Sequence, residues 1–459
     1  MQHLIMPLLA ASVAMVLSTA PAHADLGDQL AKLLPDDGAA GDRFGFSVAI
    51  SGATAIVGAD LDEDNGFTSG SAYLFDTTTG RQIAKLLPND GAEDDRFGFS
   101  VAISGATAIV GAVLDDDNGD WSGSAYLFDI TTGRQIAKLL PNDGVAGDFF
   151  GNSVAISGAT AIVGASGDDD NGSLSGSAYL FETTTGRQIA KLLPDDGAAG
   201  DFFGFSVAIS GTIAIVGAFL DDDMGSAYLF DTTTGRQLFK LLPKDGAMFD
   251  GFGRSVAISG ATAIVGAPYD DDNGFLSGSA YLFDITTGRQ IAKLLPDDGA
   301  AVDIFGLSVA ITGTTAIVTT LGDDDNGNDS GSAYLFDTTM GRQIVKLLPD
   351  DGAAGNGFGR SVAISGPPGK EVAIVGTWRD DDNGFHSGSA YLFDAAGTPG
   401  KCPWDVNGDG VVNHRDLVEV VHNMGLCDDP DNCPWDVNGD GIVNGRDVAA
   451  VATHFGPCP

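Results

Sequence analysis

Residues Phe44 to Arg96 read FGFSVAISGATAIVGADLDEDNGFTSGSAYLFDTTTGRQIAKLLPNDGAEDDR, and near-copies of this unit occur seven times along the chain. A marker serine falls at Ser47, Ser100, Ser153, Ser206, Ser255, Ser308 and Ser361, spaced by 53 residues except for one interval of 49 between the fourth and fifth. The first unit holds four short runs of strand character: Phe46 to Ser51, Thr54 to Val57, Ser71 to Phe75 and Gln82 to Leu87, here strands a, b, c and d. Clusters of Gly, Asp, Asn, Ser and Thr separate them and act as turn signals. Side chains alternate along a strand, so strand a puts Ser47, Ala49 and Ser51 on one face and Phe46, Val48 and Ile50 on the other. That contrast suits an innermost strand, where neighbouring units crowd toward an axis.

Four strands per unit at this period predict an all-β fold, a seven-bladed β-propeller with four-stranded blades. No unit contains the long run of helical spacing that a helical solenoid needs. The seventh unit ends at Tyr391-Leu392-Phe393-Asp394 without a d strand. Gln29-Leu30-Ala31-Lys32-Leu33-Leu34-Pro35 repeats Gln82-Ile83-Ala84-Lys85-Leu86-Leu87-Pro88, so the N-terminal segment is expected to complete the last blade and hide a sheet edge. An open solenoid would leave this offset unexplained. Phe44-Gly45 with Val57-Gly58-Ala59, and Phe252-Gly253 with Gly266-Ala267-Pro268, resemble FG-GAP repeats, the units of the integrin α-subunit propeller and of many bacterial exported proteins. The resemblance covers about residues 26 to 398 and implies extracellular recognition or adhesion, not a reaction. The integrin calcium hairpin lies between the first two strands; here that turn is only Ser51-Gly52-Ala53, so those metal sites do not carry over.

The formal charge of −40 repels nucleic acid and anionic lipid and attracts divalent cations. Strand direction alternates within a blade, so the b–c and d–a loops share one rim. The b–c loops carry Asp62-Glu63-Asp64-Asn65-Gly66 and its counterparts beginning at Asp115, Asp168, Asp221, Asp270, Asp323 and Asp380, and the d–a loops add more carboxylates beside them. Such crowding requires solvation, pairing with Arg43-type neighbours, or a bridging cation. Two readings stand: a ring of weak calcium sites, or solubilising turns in which Asp, Asn and Gly suit the backbone. Trp121, Tyr269, Trp378 with Arg379, His386 and the insertion Pro367 to Glu371 break the repeat symmetry, without defining a ligand site by themselves.

Both ends depart from the repeat. Residues 1–24, with an apolar run from Leu8 and Ala22-His23-Ala24 before Asp25, have the layout of an export signal, although the first seven residues lack Lys and Arg. A secreted or cell-surface protein, cleaved near Ala24-Asp25 and not membrane-spanning, is expected, with the propeller over 25–398. Residues 399–459 form a second module with an internal offset of 31. Its first loop offers Asp405, Asn407, Asp409, the Val411 carbonyl, Asn413 and Asp416; its second offers Asp436, Asn438, Asp440, the Ile442 carbonyl, Asn444 and Asp447. Oxygen donors at positions 1, 3, 5, 7, 9 and 12 with glycine at 6 wrap one Ca²⁺ ion. Each loop runs into a helix with apolar spacing: Leu417, Val420, Val421, Met424, then Val448, Val451, Ala452, Phe455.

Loop plus one helix, duplicated and ending on Asp, resembles a dockerin. That implies an attachment or assembly module and a cohesin-like or envelope-anchor partner. His414-Arg415 and Gly445-Arg446 occupy positions that are commonly Ser-Thr in cellulosomal dockerins, which puts a cohesin partner in question. Cys402, Cys427, Cys433 and Cys458 allow three connectivities; Cys427–Cys433 with Cys402–Cys458 is favoured, since a helix would carry Cys427 away from Cys402 and the ends of this module type lie close together. No catalytic residue is assigned, because near-identical carboxylate loops lack the distinct acid and base that hydrolysis needs. The reading is a secreted, non-catalytic calcium-binding protein that recognises an extracellular protein or glycan. The alternative is an accessory or catalytic component of a polysaccharide-degrading assembly, docked through the tail.

Overall fold

The computed structural model describes residues 26–396 and, in the tail, 411–412, 414–422, 424–426, 442–443, 448, 451–452 and 456–457. The export-signal segment and all four cysteines fall outside these residues. In blade 1 the strands are Phe44–Ser51, Thr54–Ala59, Ser71–Asp76 and Arg81–Leu86, close to the sequence expectation, and they form an antiparallel sheet in that order. Six further four-stranded sheets follow. In the last, Gln29–Leu33 pairs antiparallel with Ser389–Asp394 and sets Lys32 opposite Tyr391 and Leu33 opposite Ala390. The ring closes on its own first strand, as the missing d strand requires.

The cores lie between blades, not within them. One cluster joins Ile56, Leu74 and Leu86 of blade 1 to Phe97, Val101, Val110, Tyr126 and Phe128 of blade 2. The closing cluster likewise joins Leu33, Ile374 and Leu392 to Phe44, Val48, Tyr73 and Phe75. A blade is therefore apolar on both faces, which is why strand c (Ser-Ala-Tyr-Leu-Phe) is buried at every position up to its terminal acid. The phenylalanine that opens each strand a packs edge-on against the strand-c aromatics of its own blade; Phe44 lies 5.5 Å from Tyr73 and 5.6 Å from Phe75.

The Phe-Gly and Gly-Ala glycines explain each other. A Cβ on Gly58 would stand 2.0 Å from the Gly98 carbonyl oxygen of the next blade, and one on Gly98, at φ +93°, would stand 2.2 Å from the Ser71 oxygen. Backbone touches backbone at this seam, and no side chain fits. Blade 6 carries Thr319 at the corresponding position, and there the seam is wider: the distance from a Cβ on Gly359 to the Ser332 oxygen grows to 3.0 Å.

Each complete strand d carries a bulge opposite the Leu74–Phe75 type of step, which turns Ile83 and its counterparts outward. The bulge interrupts the ring's outer sheet edge, a recognised protection against edge-to-edge pairing. In the tail, a helix spans His414–His422, Val411–Val412 pairs with Gly456–Pro457, and Gly425–Leu426 pairs with Ile442–Val443. Val420, Val443 and Val451 are buried, whereas Val421 and Met424, expected on the buried helix face, are about half exposed. Among the described residues, no helix is long and apolar enough to cross a membrane.

Candidate binding face

The acidic rim is organised around a cation that the chain itself supplies. Lys85 of strand d sends Nζ to Asp62 (3.1 Å) and Asp64 of its own b–c loop and to Asp37 (2.8 Å) of the preceding d–a loop. The Tyr73 hydroxyl donates to Asp62 at 2.7 Å, the Asp64 amide donates to the other Asp62 oxygen, and the ammonium stands 5.0 Å from the tyrosine ring centre. The arrangement recurs with Lys138, Lys191, Lys293 and Lys346, and with Lys32 in the closing blade, where the partners are Asp351, Asp380 and Asp382. The shortened fourth loop distorts it: Asp221 to Asp223 form a one-turn 3₁₀ segment, and Asp222 reaches only to 3.8 Å from Lys240.

Neither sequence-based reading of these loops foresaw this. Aspartates two residues apart do converge on one centre, and that centre is a lysine ammonium rather than an Arg43-type neighbour. Among the described residues, the three carboxylates whose spacing would suit a metal, Asp298, Asp323 and Asp325, are the three that hold Lys346. Burial alone would lower Lys85, but its hydrogen bonds to Asp37 and Asp64 outweigh this and hold it above the ordinary lysine range. Burial would likewise raise Asp37, and the bond from Lys85 instead holds it below the usual carboxylate range. Burial pushes Tyr73 up, reinforced by the Asp62 charge. Asp42, Asp95 and Asp148, whose carboxylates accept a backbone N–H three residues back, are pushed by burial up to about 6 in spite of that bond.

Inside this ring lies a well of about 470 Å³ at the start of the a strands. The residues there are the ones in which the repeats differ. The position after Phe-Gly is Phe46, Phe99, Asn152, Phe205, Arg254, Leu307 and Arg360 in turn. Arg43 and Arg96, which precede Phe-Gly in blades 1 and 2, both approach Asp60 at 3.9 Å. Asp60 is fully buried, neither oxygen has a hydrogen-bond partner among the described residues, and burial pushes it up to about 6 against the pull of Arg43 and Arg96.

Arg360 stacks over Phe46 at 4.2 Å, and Arg254 over Phe205 at 5.0 Å; neither guanidinium is ion-paired or hydrogen-bonded among the described residues. Of the symmetry-breaking residues picked out in the sequence, Trp378 and Tyr269 face these arginines: Arg43 lies over Trp378 at 4.8 Å, and Arg254 is 5.9 Å from the Tyr269 ring. Trp121 stacks on Phe149, which itself lines the well, and His386 stacks on Phe385 and stands 6.3 Å from the Trp378 ring. The insertion at Pro367 to Glu371 belongs to an a–b turn, hence to the opposite rim.

Of the twelve calcium-loop positions, Val411 and Ile442 lie in the short paired strands and Asp416 in the first turn of the helix; the other nine fall outside the described residues. The two strands are at equivalent places in the duplicated loops, each paired with the segment that follows the other repeat's helix. The sequence of both loops supplies Asp and Asn, hard oxygen donors of the kind Ca²⁺ takes.

Fold and face together define a closed seven-bladed β-propeller with lysine-locked loops on one rim and a duplicated loop-and-helix tail. The chain belongs to the FG-GAP repeat family: seven repeats match, at residues 28–75, 81–128, 134–181, 187–230, 236–283, 289–336 and 342–393. Residues 403–456 match the dockerin type I domain, a module that binds calcium and engages a cohesin. No curated protein matches the chain.

Proposed function

We propose that the chain is an exported binding protein whose propeller recognises an extracellular protein or glycan and whose tail, ordered by calcium, attaches it to a partner. One observation carries this reading: a dockerin type I module follows an FG-GAP ring whose b–c rim displays exposed rings at Phe67, Trp121, Phe275 and Phe385. Exposed aromatics on a rigid scaffold are ready anchors for sugar faces or protein side chains. The tail holds two ions through Asp405, Asn407, Asp409, Val411, Asn413 and Asp416, and through Asp436, Asn438, Asp440, Ile442, Asn444 and Asp447. Cohesin-like or envelope proteins are its natural partners, and the dockerin match also favours membership of a polysaccharide-degrading assembly as an accessory.

The test combines glycan-surface retention with pull-down of a cohesin-bearing protein, each with and without chelator. Retention without sugar release, together with a chelator-sensitive pull-down, is expected. Release of soluble sugar by the purified chain would reverse the non-catalytic reading.

A further inference from the structure

Arg96, Arg254 and Arg360 line the well, Arg43 joins Arg96 beside Asp60, and Asp60 is the one buried carboxylate placed against them. Arg43, Arg96, Arg254 and Arg360 against Asp60 leave about three positive charges at the hub of a protein whose formal charge is −40. Unpaired cations are costly when partly desolvated. Burial, and then neighbouring Arg254, depress Arg360 to about 10, and the Asp60 charge offsets this only in part.

Elsewhere on the same rim every strand-d lysine has carboxylate partners, whereas Asp60 is the one carboxylate set against the well arginines. The walls are equally distinctive. Phe46, Phe99, Phe149 and Phe205 line the cavity, and its volume is that of a small-molecule pocket. Guanidinium forks bind carboxylates and sulfates in two-point fashion, and aromatic faces stack on the C–H faces of sugar rings.

From this juxtaposition we propose that the well is a binding site for an acidic sugar, a saccharide unit bearing a carboxylate or sulfate, with Arg254 and Arg360 clamping the acid and the phenylalanines holding the ring. The volume takes one or two sugar rings, so the ligand enters as a chain end or a free small molecule. The surrounding carboxylate ring repels polyanions at a distance, and the short-range arginines capture a single acid that has entered. The inference deepens the recognition reading by naming the ligand class of one site.

The test is calorimetric titration of the full chain with glucuronic acid, a sulfated monosaccharide, glucose and an acidic tetrapeptide. Trp378 fluorescence provides a second readout, since that ring lies against Arg43 and Phe46. At least one acidic sugar is expected to bind tenfold or more tighter than glucose, the sulfated arm telling which acid is preferred, and to weaken several-fold between 50 and 300 mM salt. Arg360→Met and, independently, Arg254→Gln should each lower that affinity at least tenfold, while Arg342→Gln, on an exposed strand-d start, leaves it unchanged.

Equal binding of glucose, no binding of either acid, unaltered binding in both well variants, or capture of the peptide alone would each overturn the assignment. Surface retention without well binding would defeat this inference and leave the broader function standing; arginine-dependent well binding without surface retention would do the reverse.

Discussion

Replacing Lys346 by methionine tests whether the rim is held together by its internal cations. The ammonium lies 2.8 Å from Asp298, 2.7 Å from Asp323 and 2.7 Å from Asp325. Asp323 is 7% exposed at the side chain, and the other two are about half in water. Each of the two exposed arms adds only about 0–1 kcal/mol. Breaking a buried ion pair costs about 3–5 kcal/mol, because the remaining charge is stranded. Asp323 keeps the Tyr334 hydroxyl and the Asp325 amide as donors, which softens the loss. The expected cost is about 2–4 kcal/mol.

Lys240→Met should cost less, since Asp222 stands 3.8 Å away and is largely exposed. The same geometry makes a second expectation. With the lysine gone, three carboxylate oxygens within 4.8 Å of one another become a vacant hard-oxygen site. Calcium at ten times its dissociation constant would return about 1.4 kcal/mol to Lys346→Met and nothing to the parent propeller. Urea unfolding at pH 7, with and without calcium, reads both. A midpoint for Lys346→Met within about 0.5 kcal/mol of the parent, or a cost clearly below that of Lys240→Met, would refute the reasoning.

Further outcomes follow from other parts of the molecule. Gly164→Ala places a methyl 2.0 Å from the Gly204 carbonyl and should cost about 3 kcal/mol or more, or prevent folding, whereas Gly52→Ala meets open space and should cost about 1 kcal/mol through its positive φ alone; chemical denaturation compares them. Asp42, Asp95 and Asp148 titrate near 6 when folded, above the ordinary carboxylate value, so their stabilisation is full below about pH 4 and gone above about pH 6. Asp37, Asp90 and Asp351 are held low, so theirs is present above about pH 4 and is lost in stronger acid. Thermal midpoints should therefore peak near pH 5, and a maximum at pH 7 or above would contradict the balance. Leu33→Glu buries an unpaired charge in the closing core and should open the ring, detected as proteolysis near residues 389–394. Asp405→Ala with Asp436→Ala should abolish calcium binding to the tail by calorimetry and leave propeller melting unchanged.

The architecture was legible because sevenfold recurrence amplifies weak strand signals, and because the displaced Gln29–Leu33 segment has a single unfilled place to go. The rim chemistry was harder to read. Lys85 lies 23 residues beyond Asp62 and 48 beyond Asp37, so only the pairing of strand c with strand d brings the three together. The available signal was that a lysine recurs in every strand d with the same period as the acidic loop. The well was invisible for the opposite reason. Arg254 and Arg360 sit in different units, and their neighbourhood exists only once the ring has closed. Trp378 and Tyr269 were conspicuous as departures from the repeat, yet nothing in one dimension shows that departures in separate units face one hub.

Closure by the first strand also fixes how load passes through the molecule. The tail leaves directly from Ser389–Asp394, which is an inner strand of its sheet, flanked by Gln29–Leu33 on one side and Val372–Thr377 on the other. Tension applied through an anchored tail must shear two backbone ladders together, and Lys32 adds a third connection by gripping Asp380 and Asp382 next to that strand. A disc tethered this way should resist drag from whatever it holds, yielding last at the very place where the ring's first and last strands are clasped.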